Sequence, residues 1–222
     1  MQMFMEHPLD HRQYAPATQR NRDPIGAVLR QVLPSTGTVL EVSSGTGEHA
    51  VFFAPQVAPR PWIASDPNPV ARASIAAWRA ETPAPTLWGP IALNVHDPHW
   101  PVEEQPLPES LPGLDLGKHP IRAIVNINMI HIAPWSACLG LMAGAGRILA
   151  TGGILYLYGP FKRGGVHTAP SNEAFDQSLR DQNPDWGVRN LEDVVAAAQA
   201  QGLSLVSIHE MPAHNLSVVF EV

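Results

Sequence analysis

The residues best suited to binding chemistry lie in the segment 38–48, TVLEVSSGTGE. Val39, Leu40 and Val42 form a short apolar run, which predicts a buried strand. A loop of small residues follows, and the next segment, 49–57, predicts a helix. Glycines let a ligand approach the backbone, and free N–H groups at a helix N-terminus attract negative charge. A strand, a glycine loop and a helix in this order predict a nucleotide-type site in a doubly wound α/β sheet.

Two ligand-binding patterns overlap in this loop. Gly45, Gly47 and Ala50 fit the dinucleotide fingerprint G-x-G-x-x-A. The run from Glu41 to Gly47 also resembles the pattern acid-x-G-x-G-x-G, with Ser43 in place of the first glycine, which is the first motif of class I S-adenosylmethionine (SAM) methyltransferases. Two serines separate the strand from the first glycine, and an acid lies within the strand; both features favour the methyltransferase pattern. The predicted cofactor contacts are therefore Glu41, Ser43, Gly45 and Gly47, and a tight turn that binds no ligand is the alternative.

Composition limits the classes of protein to consider. The chain has 222 residues, of which 45% are hydrophobic, and this suits one α/β domain over residues 1–222. No apolar run has the length of a membrane span, and the single cysteine, Cys138, predicts a reducing, cytoplasmic location. The formal net charge is −6 and the 14 Lys and Arg residues are scattered, which disfavours a nucleic-acid partner.

The N-terminal part predicts an arm followed by a helix. Residues 1–16 are polar and irregular, and we expect them to cross the surface. Asp23 is a suitable N-cap and Pro24 a suitable first helical residue, so the helix is predicted to begin there. Arg20 and Arg22 precede this helix at the edge where a cofactor would bind. They are candidate cofactor contacts, and solvated charges at a helix start are the alternative.

Two acids follow predicted strands. Asp66 ends the second strand, where a carboxylate can accept hydrogen bonds from both hydroxyls of a ribose; an N-cap of the next helix is the alternative. Segment 89–97 predicts a third strand that ends at Asp97. In class I methyltransferases an acid at this place usually accepts from the adenine amino group, so the resemblance implies a cofactor contact for Asp97. A turn residue before Pro98 is the alternative.

A second informative stretch surrounds the fourth strand, segment 124–127. Asn126 and Asn128 end this strand, and the carboxyl ends of central strands form the binding edge of an open α/β sheet. Asn126 is a predicted cofactor contact and Asn128 a predicted substrate contact. His131 lies just beyond and is the candidate general base, because imidazole takes up a proton near neutral pH. A structural histidine bonded to a loop is the alternative.

Loops and aromatic residues complete the predicted site. The proline-rich segment 98–120 predicts a long loop, either a lid or an insertion without function. Segment 162–167, KRGGVH, predicts a mobile basic loop, and solvated charges are the alternative to a ligand role there. The candidate residues of a substrate pocket are Trp135, Phe161, Lys162 and His167.

The C-terminal part decides the predicted fold class. Segments 203–210 and 216–222 predict strands, and their connection is too short for a crossover helix, so they must be antiparallel. The sequence therefore predicts an α/β, Rossmann-like, doubly wound seven-stranded sheet with a C-terminal antiparallel β-hairpin, the class I methyltransferase fold. A dinucleotide dehydrogenase usually continues with a sixth parallel strand and a catalytic domain.

Several segments together resemble the methyltransferase-like 26 group, once described as a domain of unknown function. The resemblance covers nearly the whole chain, although segment 98–120 is longer than the family pattern requires. The segments that carry it are RNRDPI (20–25), LEVSSGTGEH (40–49), SDPN (65–68), NINMIHIAPW (126–135), LYGPF (157–161), PSNEAFD (170–176) and DWGVR (185–189). The resemblance implies a class I fold that binds SAM and leaves the substrate open.

These features predict a SAM-dependent methyltransferase that transfers a methyl group to a small-molecule acceptor by in-line displacement. The histidines are dispersed without ligand spacing, so no metal site is expected. A non-catalytic SAM-binding protein on the same fold is one alternative. An NAD-dependent oxidoreductase is another, but no Tyr-x-x-x-Lys arrangement supports it.

Overall fold

A mixed β-sheet with helices on both faces forms the centre of the structure. The computed structural model describes residues 10–82 and 84–222. In chain order, its helices and strands are α1 Pro16–Val32, β1 Thr38–Val42, α2 Glu48–Gln56, β2 Trp62–Ser65, α3 Pro69–Glu81, β3 Leu87–Ile91, β4 Ile121–Ile127, α4 Trp135–Ile148, β5 Ile154–Arg163, β6 Val166–His167, α5 Pro170–Gln182, β7 Arg189–Asn190, α6 Leu191–Gln199, β8 Ser204–Met211 and β9 Asn215–Glu221.

The strand order confirms the predicted fold class. The main path is β3-β2-β1-β4-β5-β9-β8, which has seven strands. The first five are parallel, and β9 runs antiparallel to both β5 and β8. The two-residue strands β6 and β7 extend the end of β5. This is the class I methyltransferase arrangement, and it brings the carboxyl ends of β1, β2 and β4 to one edge.

Alternation along the strands divides the core into two layers. Val39, Val125 and Tyr156 belong to the apolar cluster that includes residues of α1, α2 and α3. Leu40 and Ile124 belong to the cluster that includes residues of α4 and α6. Because neighbouring residues of a strand point to opposite faces, each short apolar strand serves both layers.

Helix α1 begins eight residues before the predicted start at Pro24. It starts at Pro16, a favoured residue for the first helical position, and it continues through Pro24. Thr18 and Asn21 are buried on this helix, so tertiary contacts stabilise turns that their polar sequence does not favour. Of the predicted arm, residues 1–9 lie outside the described residues, and residues 10–15 precede the helix without regular structure.

The third strand is shorter than predicted. It ends at Ile91, and Asp97 lies six residues further on in an exposed turn. Leu93 and Val95 are apolar because they are buried against α4, where a side chain on Gly140 would overlap the Val95 carbonyl. These buried loop residues therefore gave the sequence the pattern of a strand, and the predicted strand was too long.

Segment 98–120 contacts the core through three buried side chains near the amino ends of the strands, and most of its other residues are exposed or half-buried. Trp100 is fully buried, and Val102 and Leu111 also belong to the core. A Cβ on Gly144 of α4 would overlap the Trp100 ring. The segment ends beside the start of β1, where the Thr38 N–H donates to the Pro120 carbonyl at 2.8 Å. Since the glycine loop follows the opposite end of β1, this placement favours a packed insertion over a lid.

Segment 162–167 forms a β-hairpin instead of the predicted loop. Lys162 pairs with His167 and Arg163 pairs with Val166 across a turn at Gly164 and Gly165. In the part of the chain that the structure describes, no helix is long and apolar enough to cross a bilayer.

Candidate functional site

The glycine loop connects β1 to α2 at the carboxyl edge of the sheet. Ser43, Gly45 and Gly47 all have positive φ, at 58°, 57° and 90°. A Cβ on Gly45 would meet no atom within 4 Å, whereas a Cβ on Gly47 would lie 2.8 Å from the Ile75 Cα of α3. The two glycines therefore have different roles: Gly45 borders open space, and Gly47 allows α3 to approach the loop.

Asp66 joins the ends of β1 and β2. Its Oδ2 accepts a hydrogen bond from the Gly45 N–H at 3.0 Å, and its Oδ1 accepts from the Asn68 N–H at 2.9 Å. The N-cap of α3 is Asn68, whose side chain accepts from the Val70 N–H, so Asp66 does not have the alternative role of helix cap. Each carboxylate oxygen keeps a further lone pair for a ligand.

Glu41 lies beneath the loop, not at its surface. The side chain is only 2% exposed, and its Oε2 accepts from the Trp62 indole N–H at 2.9 Å. Burial raises the pKa of Glu41 to about 7, and the Trp62 hydrogen bond offsets part of that rise. The Glu41 side chain thus joins β1 to β2 in a buried position, and its predicted contact with the cofactor stays a prediction.

Asn126 offers a buried acceptor beside the end of β1. Its Nδ2 donates to the Val42 carbonyl at 2.9 Å, which fixes the amide at the junction of β1 and β4. Its Oδ1 is buried and has no hydrogen-bond partner. Asn126 is only 1% exposed, so its amide is buried at this junction, and its predicted contact with the cofactor stays a prediction.

A cavity of about 560 Å³ opens beside this edge. Five parts of the chain form it: α1, the end of β4, the end of β5, the start of α5 and the β8–β9 connection. Its lining residues are Ala17, Arg20, Asn21, Asn128, Tyr158, Pro160, Ser171, Asn172, Phe175, Pro212, Ala213 and Asn215. Of the predicted site residues, Arg20 and Asn128 line this cavity.

Hydrogen bonds connect one wall of the cavity to the first turn of α2. His49 Nε2 lies 2.8 Å from Asn21 Oδ1, and Asn215 Nδ2 donates to Tyr158 Oη at 3.1 Å. Burial lowers the pKa of His49 to about 4, and the nearby Arg22 charge adds to this effect, so the imidazole is neutral.

Backbone strain is concentrated around the glycine loop and the cavity. Among the described residues, the non-glycine residues with positive φ are Ser43, Asn128, Ala213 and His214. Ser43 is in the glycine loop, Asn128 and Ala213 line the cavity, and the His214 carbonyl accepts from Asn172 Nδ2 at 2.9 Å. Left-handed backbone costs about 1–2 kcal/mol per residue, and such strain persists mainly at functional sites.

The other predicted substrate residues do not line this cavity. Trp135 and Lys162 line a separate groove between α4, α6 and the end of β5. Lys162 Nζ and His167 Nε2 each lie 3.3 Å from the buried Asp176 carboxylate. Phe161 is fully buried in the core. Phe161, Lys162 and His167 are close in sequence but do not share one site, because the chain turns from the end of β5 into the hairpin with β6.

Two predicted positions have other environments. Arg22 extends over the Phe52 ring, with 4.6 Å from its Cζ to the ring centroid, and it lines a small pocket between α1, α2 and α3. His131 is 0% exposed and lies edge-on to Phe161; burial lowers its pKa to about 3, and the nearby Arg189 charge adds to this. The predicted role of His131 as general base is corrected, because the ring presents no surface to an acceptor.

The sequence analysis missed several polar residues of the cavity, namely Asn172, Asn215 and Tyr158. Tyr158 lies within β5, where it is 3% exposed, and it reaches the cavity from that strand. The other two residues come from α5 and β9, and only the tertiary structure brings them together. Within residues 10–82 and 84–222, no group of three His, Cys, Asp or Glu side chains is placed to hold a metal ion.

A family model described as "Protein of unknown function (DUF938)" matches residues 12–222. The chain belongs to this family. Assignment to the methyltransferase-like 26 group, which the sequence motifs resemble, stays a prediction.

Solved structures with a similar fold include methyltransferases, one of them described as SAM-dependent. An O-methyltransferase family 2 protein from Planctomyces limnophilus DSM 3776, in complex with apigenin, aligns with a TM-score of 0.71 and 19% identity over 92% of this chain and 57% of its own. The SAM-dependent methyltransferase SibL has a TM-score of 0.69 and 16% identity over 92% and 55% of the two chains. PigF with SAH has a TM-score of 0.69 and 12% identity over 92% and 56%. The DUF938 chain thus spans just over half the length of these proteins, and the likeness establishes the class I methyltransferase fold.

Proposed function

We propose that this DUF938 protein is a SAM-dependent methyltransferase that acts on a small-molecule acceptor. The observation that carries the proposal is the contact between the Gly45 N–H and the Asp66 carboxylate, at the carboxyl ends of β1 and β2 in a class I sheet. In open α/β sheets, ligands bind at this edge, and an acid at the end of the second strand suits a ribose.

The residues at this edge fit SAM. Asp66 would accept hydrogen bonds from the ribose hydroxyls, and the open space beside Gly45 would admit the ligand to the backbone. Asn126, at the end of β4, stays a candidate contact. Arg20, which lines the neighbouring cavity, and Asp97, in an exposed turn after β3, stay candidate contacts.

When bound, SAM supplies an activated methyl group and its own leaving group through the sulfonium. The protein contributes position: the cavity residues would hold the acceptor beside the cofactor and exclude water. Where the accepting atom carries a proton, that proton must also leave. The buried His131 is not placed to take that proton, so we assign no protein base.

A small acceptor in a reducing compartment fits the other properties of the chain. The cavity of about 560 Å³ is of the size that holds small molecules. The net charge of −6 and the scattered basic residues argue against a nucleic-acid partner. The buried free thiol of Cys138 agrees with the cytoplasm.

Calorimetric titration with S-adenosylhomocysteine (SAH), with NADH as comparison, tests the cofactor. We expect micromolar SAH binding to the wild type, and Asp66→Ala should weaken it about thirtyfold because two charge-assisted hydrogen bonds are lost. Asp181→Ala, at an exposed position of α5, is the control and should bind as the wild type does. Asp66→Asn keeps one oxygen acceptor and checks that the loop still folds. Binding of NADH in place of SAH would overturn the proposal.

The burial of His131 favours one second candidate, a SAM-binding protein without catalytic activity. Incubation with isotope-labelled SAM and a small-molecule extract separates the two functions. Label in a small-molecule product that depends on Asp66 supports the enzyme. Tight SAH binding without any labelled product supports the binding protein.

A further inference from the structure

The donors and acceptors of the hydrogen bonds along the cavity wall can be assigned from the residues at its two ends. Asn21 Oδ1 is an acceptor only, so the neutral His49 donates through Nε2–H at 2.8 Å. At the other end of the wall, Asn215 Nδ2 donates to Tyr158 Oη at 3.1 Å and to the Pro212 carbonyl at 3.2 Å.

Tyr158 Oη therefore accepts a hydrogen bond from the Asn215 amide, and this bond does not require the proton of the hydroxyl. Burial raises the pKa of Tyr158, so the hydroxyl keeps this proton at neutral pH. Tyr158 lines the cavity. The wall thus presents a hydroxyl donor to a ligand.

The rest of the lining limits the charge and shape of a ligand. Both N–H groups of Asn172 are engaged, with Thr168 Oγ1 at 3.0 Å and the His214 carbonyl at 2.9 Å, which leaves its Oδ1 as an acceptor. Among the described residues that line the cavity, only Arg20 is charged. Phe175, which is 40% exposed, and two prolines offer apolar surface for a flat group.

We propose that this cavity is the acceptor site, and that its substrates are small, uncharged or singly anionic molecules with a carbonyl or carboxylate oxygen that accepts a hydrogen bond from Tyr158. This inference rests on the proposed methyltransferase function and adds the substrate class. A protonated amine fits poorly, because it has no acceptor for the Tyr158 hydroxyl and meets the Arg20 charge. A carboxamide fits well, because it offers an oxygen to Tyr158 and an N–H to Asn172.

Benzamide and benzylamine are matched probes, since both carry a phenyl ring and differ in the polar group. We would titrate each by ligand-detected NMR into the full chain, with and without saturating SAH. Benzamide should bind more tightly than benzylamine, and Tyr158→Phe should weaken benzamide binding about tenfold, the value of one buried hydrogen bond. Tyr156→Phe is the matched control, because Tyr156 precedes Tyr158 on the same face of β5 but bonds Ser217 at 2.6 Å outside the cavity.

Each outcome has a defined meaning. Loss of benzamide binding in Tyr158→Phe, with the SAH affinity and the melting temperature unchanged from Tyr156→Phe, supports the inference. Equal binding of the two probes, or unchanged benzamide binding in Tyr158→Phe, overturns the substrate class even where SAH binds normally. Failure of the wild type to bind SAH overturns the proposed function and, with it, the assignment of this cavity to an acceptor.

Discussion

Replacement of Glu41 by glutamine is expected to stabilise the protein by about 3 kcal/mol above pH 7. The reason is the buried environment of this carboxyl group between β1 and β2. Its pKa rises from 4.5 to about 7, because burial disfavours the charged form. A glutamine has no charge to bury, and its side-chain oxygen can still accept from the Trp62 indole.

The sign of the pH dependence follows from proton binding. In the unfolded chain Glu41 releases its proton near pH 4.5, whereas the folded protein holds it up to about pH 7. Between these values the folded state binds more protons, so the contribution of Glu41 falls as the pH rises. The stability that Glu41 contributes is fully present below pH 4.5 and is lost as the pH rises through about 7. A shift of two to three pKa units corresponds to about 3 kcal/mol.

The measurement is the difference in free energy of unfolding between Glu41→Gln and the wild type, from urea denaturation at pH 5 and pH 8. The difference is needed because His49 and His131 have lowered pKa values and contribute in the opposite direction, with stability lost as the pH falls. Their contributions cancel between the two proteins. Glu221→Gln, at an exposed position of β9, is the control and should show no pH-dependent difference. If the difference between Glu41→Gln and the wild type were the same at pH 5 and pH 8, the result would contradict a raised pKa for Glu41.

The Glu41 variant also tests its predicted contact with the cofactor. Because the side chain is buried below the loop, Glu41→Gln should change the SAH affinity much less than Asp66→Ala does. The acid of the sequence pattern and the acid at the end of β2 would then have separate roles: one supports the loop and the other binds the ligand.

The sequence predicted the fold because its signals are local and agree with one another. Short apolar strands, a glycine loop and a short final connection each restrict the topology, and together they leave the class I arrangement. The errors arose where tertiary contacts outweigh local preference. Pro24 lies inside α1 because buried residues on the preceding turns hold the helix, and the segment before Asp97 is apolar because it covers α4.

The cofactor edge was more predictable than the acceptor cavity for the same reason. The glycine loop and Asp66 each end a strand, so parallel packing brings them together without further information. The cavity depends on Asn21, Asn128, Tyr158, Asn172 and Asn215, which come from distant parts of the chain. Asparagine carries no charge and is common in turns, so its type alone does not distinguish a binding residue from a turn residue.

The two glycines of the loop provide the sharpest separation of ligand binding from folding. Gly47→Ala is expected to destabilise the protein by about 3 kcal/mol, from left-handed backbone and from overpacking against α3. Its φ is 90°, and the added Cβ would lie 2.8 Å from the Ile75 Cα, a backbone atom that cannot rotate away. Gly45→Ala should cost only about 1 kcal/mol, because the φ is again positive but the methyl group enters open space.

Gly45→Ala, the variant with the smaller expected loss of stability, should have the larger effect on ligand binding. If the space beside Gly45 admits the cofactor, a methyl group there should weaken SAH binding at least tenfold in a protein that still folds. Gly113→Ala is the matched control, because Gly113 also has positive φ, at 77°, and open space around its Cβ, but lies in segment 98–120 near the opposite end of the sheet. Gly113→Ala should show the same small loss in urea denaturation and normal SAH affinity by calorimetry. If Gly45→Ala binds SAH as Gly113→Ala does, the space beside Gly45 is not part of a ligand site, and the loop is only a turn between a strand and a helix.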